Sequence, residues 1–84
     1  MFKIIVWADG MECTRFEGDN LYDVVLKLNI FRAKDFIGTF TYSFSLYQND
    51  KTPTDEVWRE YHDLLYKLIP VARKMVAIGE DFKW

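Results

Sequence analysis

Phe2-Lys3-Ile4-Ile5-Val6-Trp7-Ala8-Asp9-Gly10-Met11-Glu12-Cys13-Thr14-Arg15-Phe16 is the stretch on which the reading of the fold turns. Its opening run is rich in Ile, Val and aromatic residues, the composition of a strand. Asp9-Gly10 then supplies the pair that a type I′ turn needs at positive φ, so Met11 to Phe16 returns antiparallel to Phe2–Ala8. A two-residue loop sets Ala8 opposite Met11, Trp7 opposite Glu12, Val6 opposite Cys13, Ile5 opposite Thr14 and Lys3 opposite Phe16. One face of the hairpin then holds Ile4, Val6, Ala8, Met11 and Cys13 and reads as core. The other holds Lys3, Ile5, Trp7, Glu12, Thr14 and Phe16, large apolar groups among polar ones.

After the hairpin, Gly18-Asp19-Asn20 reads as a helix start, with Asp19 or Asn20 as the cap and Asp23 placed to complete a capping box on Asn20. Leu21, Val24, Val25, Leu28 and Phe31 keep helical spacing and predict a helix to about Arg32 or Lys34. A second stripe, Tyr22, Leu26 and Ile30, makes this helix apolar on more than one side, which implies cover on more than one side. Ala33 to Gly38 reads as a connection. Thr39 to Tyr47 is the clearest alternation in the chain: Phe40, Tyr42, Phe44 and Leu46 against Thr39, Thr41, Ser43 and Ser45. That is a strand with one buried and one wet face.

Thr52-Pro53-Thr54-Asp55 opens a further helix, with Thr52 as expected cap and Pro53 in the first turn. Trp58, Tyr61, Leu65, Leu68, Ala72 and Met75 form its apolar stripe, and Gly79 its expected end. Pro70 lies inside that pattern. It lacks a backbone N–H and crowds the preceding turn, so the helix is expected to kink, or to break in two, near Tyr66–Pro70. The expected architecture is a single domain over residues 1–84. It is a two-layer α+β fold of order β-β-α-β-α: a three-stranded antiparallel sheet, first strand central, with two helices on one face and the second helix kinked near Pro70.

Composition narrows the function classes. The chain has 84 residues and is 50% hydrophobic and 18% aromatic, enough for a packed core with aromatics to spare. A net charge of −2 argues against a double-stranded DNA binder, which carries a basic face. Cys13 is the lone cysteine, so no intrachain disulfide forms, which suits a reducing compartment. No signal-peptide pattern or apolar run of about 18 residues occurs. The expected location is cytoplasmic, with no membrane contact.

Chemistry is sought and not found. One His and one Cys do not make a metal site. Cys13 is expected as a small buried hydrophobe and His62 as a boundary residue. Asp55, Glu56, Glu60 and Asp63 early in the last helical stretch, against Lys67, Arg73 and Lys74 late in it, follow the helix dipole and i,i+4 pairing rather than acid–base catalysis. The isolated glycines match no phosphate-binding loop, so no cofactor is expected.

The expectation is therefore a non-catalytic module that binds another protein or a second copy of itself as a homodimer. Size and composition suit a phage or mobile-element inhibitor of a host protein. The expected contact residues are Ile5, Trp7, Phe16, Thr41, Ser43 and Tyr47 on the outer sheet face, with Trp84 in the tail. Two alternatives stand beside it: a small-ligand binding protein, and a single-stranded nucleic-acid binder that stacks bases on sheet aromatics.

Overall fold

Asp9 and Gly10 take φ of 51° and 80°, the left-handed pair that joins strand β1 (Phe2–Ala8) to β2 (Met11–Gly18). The computed structural model describes residues 1–34 and 42–78. Helix α1 (Leu21–Lys34), strand β3 (Tyr42–Gln48), helix α2 (Asp55–Lys67) and helix α3 (Ile69–Ala77) follow. The sheet is antiparallel with order β2-β1-β3, so β1 is central, as its apolar character on both faces predicts. The fold is α+β. Of the strand expected over Thr39–Tyr47, the first three positions, Thr39 to Thr41, lie outside the described residues, as do Gly79 and the tail to Trp84.

The hairpin register departs from the simple ladder. Ala8–Met11 and Trp7–Glu12 pair as expected, but Val6 then faces Thr14 rather than Cys13. Cys13 is the extra residue of a β-bulge. Beyond it every β2 side chain changes face relative to an unbulged strand. Ile4 faces Phe16, Ile5 faces Arg15 and Lys3 faces Glu17. Two sequence expectations are corrected by this one residue. Phe16 is a core side chain, 3% exposed, instead of an outer contact residue. Cys13 is exposed rather than buried. Met11 keeps its expected partner Ala8, yet at the turn it is 75% exposed instead of a core residue, a correction independent of the bulge.

The inner face of the sheet carries Ile4, Val6, Phe16 and Leu46 into one cluster with Leu21, Val24, Val25 and Leu28 of α1, Tyr61 of α2, and Leu68. Each fully buried side chain of this size contributes about 1.5–3 kcal/mol by leaving water. Phe31 of α1 sets its ring edge against Phe16 at 6.0 Å and against Tyr42 at 5.5 Å, tying the two edge strands through one helix. Asn20 caps α1, its Oδ1 accepting from the Tyr22 N–H at 2.8 Å. Gly18 packs closely just before it: a Cβ there would lie 3.1 Å from Val24 Cγ2.

Gln48-Asn49-Asp50-Lys51 closes a second tight turn. Asn49 and Asp50 both have positive φ, 52° and 61°, a region that Asn and Asp tolerate better than most residues. The turn is held to the start of β1 by the Met1 ammonium on Asn49 Oδ1 and by a Lys3–Asp50 ion pair at 3.1 Å. α2 begins two residues later than the sequence predicts. Thr54, not Thr52, is the cap, its hydroxyl accepting from the Val57 N–H at 3.3 Å. Gln48 Oε1 accepts the Thr54 N–H and holds that residue extended, which leaves Pro53 ahead of the helix.

The apolar stripe expected on one helix is divided between α2 and α3, which meet at Leu68. Pro70 falls in the first turn of α3, where its missing N–H would have had no intrahelical partner. The last carbonyls of α2 lack the usual helical donors at such a break. Asn29 of α1, 3% exposed, donates its Nδ2–H to the Leu65 carbonyl at 3.2 Å. A polar residue inside an apolar helix thus has a structural cause. α3 packs along α1, where Ile30 and Ala72 are both buried.

Candidate functional site: an aromatic groove with a basic end

The outer sheet face is less available than its sequence suggests. Ile5 is 8% exposed, although it points away from the main core. Trp7 is half-buried and donates its indole N–H to Ser45 Oγ at 3.0 Å, across the β1–β3 pair. The Lys3 ammonium sits 5.4 Å from the Tyr47 ring centroid, and Arg15 pairs with Glu12 at 2.6 Å. The polar ends on this face are used among themselves. Of the expected contact residues, the register keeps Ile5, Trp7, Ser43 and Tyr47 on the outer face. Ser43 is exposed, Tyr47 is half-buried and Phe16 is inside. Thr41 and Trp84 lie outside the described residues.

Exposed aromatic surface lies elsewhere: Tyr22 of α1 is 44% exposed, and α2 carries two more such rings. Trp58 and Tyr66 are 43% and 78% exposed, while Tyr61 between them in sequence is buried. Trp58, His62 and Tyr66 recur every four residues, which puts them along one side of the helix. Trp58 stacks on Tyr61 with centroids 5.5 Å apart, and His62 stands edge-on to Trp58 at 4.9 Å. Phe44 of β3 and Arg32 near the end of α1 complete the walls, with Leu65 and Ile69 also lining a depression of about 350 Å³. The Arg32 guanidinium lies 5.6 Å from the Phe44 ring centroid, a cation–π distance.

This depression is the middle of a longer groove. Toward the start of α2 it shares Phe44 and Trp58 with a hollow lined also by Tyr47, Thr52, Pro53 and Asp55. Toward α3 it shares Arg32 and Ile69 with a smaller hollow of about 150 Å³, lined also by Asn29, Ala33 and Arg73. Arg32, Ala33 and Arg73 then continue into a surface hollow beside Val76 and Ala77. Charge is therefore graded along the groove. Asp55 stands at one end, aromatics fill the middle, and two guanidinium groups stand at the other.

Burial pushes the Tyr61 phenol above its ordinary range, and the nearby positive charge of Arg32 pulls it partly back. Tyr61 therefore stays a neutral hydrogen-bonding group at any physiological pH. Among the described residues, no carboxylate, serine or cysteine lines the central depression. Among the described residues no three His, Cys, Asp or Glu side chains gather as a metal site, and no helix is long and apolar enough to cross a membrane.

By spacing alone, Trp58 and Tyr61 belong to the core stripe and His62 to its boundary. The groove leaves no mark in that spacing, because Arg32 and Phe44 reach it from distant parts of the chain. One local signal was available: the Trp58-His62-Tyr66 spacing marks a second aromatic line beside the core stripe. The chain matches no protein-family model, no curated protein and no solved structure.

Proposed function

We propose that this chain is a non-catalytic binding module that engages another protein, and that a segment of that protein occupies the groove between α2, β3 and the end of α1. The observation that carries the reading is the pair of exposed aromatics, Trp58 and Tyr66, on the side of α2 that walls the groove. Water contact with large aromatic surface is unfavourable, and contiguous patches of it are typical of interaction sites, with Trp and Tyr as common anchors. The core does not need these two rings, since Tyr61 and Leu68 already supply contacts from this part of the chain. A regulator or inhibitor that works by covering a partner's surface requires no more chemistry than this.

The test is affinity capture from cell extract with the wild-type chain and with a Trp58→Ala/Tyr66→Ala double variant. The expected result is a protein retained by the first and lost by the second, with the thermal midpoint shifted by no more than a few degrees. Equal retention by both, or retention of nothing, overturns the reading. Light scattering across a wide concentration range accompanies it. A dimer that the double variant dissociates makes the captured partner a second copy of the chain.

A further inference from the structure

The groove's charge gradient specifies its occupant further. We infer that the partner segment is acidic, presenting a carboxylate to Arg32 and Arg73 next to an aromatic or large aliphatic side chain that enters the Trp58–Tyr66 depression. This rests on the proposal that the groove binds protein.

Arg32 and Arg73 line the same small hollow, and no described carboxylate lines it with them. The ion pairs formed among the described residues are Lys3–Asp50, Arg15–Glu12 and Lys67–Asp63, so neither guanidinium is paired with a carboxylate of the described residues. Two neighbouring guanidiniums repel each other and favour an anion between them. A carboxylate matches the planar donor fork of arginine. Ala33 and Ile69 line the same hollow, and both arginines are exposed and open to a ligand from solvent.

The opposite end discriminates against a long polyanion. A nucleic-acid strand following the whole groove would carry its phosphates past Asp55, with Glu56 and Glu60 exposed on the same helix. A peptide with its acidic residue confined to one end avoids that repulsion. The gradient also orients the peptide: acidic toward α3, apolar over Trp58 and Tyr66, neutral or basic toward Asp55.

A displayed library of random dodecapeptides selected on the purified full chain tests this. The expected consensus places Asp or Glu next to an aromatic, Leu or Met, and depletes acidic residues on the other side of that anchor. The best selected peptide, made synthetically, is expected to bind Arg32→Gln and Arg73→Gln at least tenfold more weakly, and Arg15→Gln as it binds wild type. Folding of each variant is checked by circular dichroism. A neutral or basic consensus whose binding still requires Trp58 overturns the acidic inference and leaves the groove reading standing. Peptides indifferent to Trp58→Ala, or no enrichment at all, overturn both. An oligothymidylate that binds with steep salt dependence, and loses binding in Trp58→Ala, replaces the peptide with single-stranded nucleic acid.

Discussion

Helices α1 and α2 are nearly equal in length and both rich in large apolar residues, yet the fold uses them in opposite ways. α1 is apolar almost all round, and six of its residues are buried, Asn29 among them. It is covered by the sheet, by α2 and by α3. α2 is strongly two-sided and buries Tyr61 alone. The difference teaches where spare apolar surface resides. In α1 most of it is consumed by packing, with Tyr22 left 44% exposed. In α2, the Trp58–His62–Tyr66 line faces a groove.

Substitutions can break or sharpen this contrast. Leu28→Ala, at the fully buried centre of α1, should have the largest effect, a loss of about 2–5 kcal/mol through lost transfer energy and a cavity. Urea denaturation measures it, and a loss well under 1 kcal/mol would mean α1 is not the central element. Asn29→Leu keeps the size but withdraws the donor from the Leu65 carbonyl, so it should cost about 1–3 kcal/mol by the same assay. A neutral outcome would show that the joint between α2 and α3 does not depend on α1.

Thr54→Ala removes the hydroxyl cap of α2 and should cost about 1 kcal/mol, with Thr52→Ala smaller. The reverse ranking would place the helix start where the sequence alone puts it. Tyr66→Ala, on the exposed line of α2, should change stability by no more than about 0.5 kcal/mol. A loss like that of Leu28→Ala would move Tyr66 from groove to core and remove the contrast between the helices. Smallest of all, Cys13→Ser should leave the midpoint unchanged, and native Cys13 should react with a thiol reagent without denaturant. A thiol protected until unfolding would restore the unbulged register.

Much of the fold is legible locally. The Asp9-Gly10 turn, the Asn20 cap, the extent of α1 and the alternation of Tyr42 to Leu46 each depend on residues within a few positions of one another. Two expectations failed at the same kind of place. The position after Glu12 carries no local sign of a bulge, and Thr52 and Thr54 are equally competent caps. In each case a contact outside the local pattern accompanies the outcome: Phe16 against Phe31 and the rest of the core, and Gln48, six residues back, on the Thr54 N–H.

The sequence by itself determined the order of the elements, the central place of β1, the pattern of two-faced strands, and the presence of more aromatic surface than one small core requires. Turn chemistry, capping and periodicity act over short separations and leave their marks in neighbouring residues. Only the tertiary structure decided which aromatics were surplus. A single bulge at Cys13 carries Phe16 inward. The packing of α1 and β3 against α2 then brings Arg32 and Phe44 to Trp58 and Tyr66. Burial is a property of all the neighbours a side chain acquires, and those neighbours come from parts of the chain that no local pattern relates.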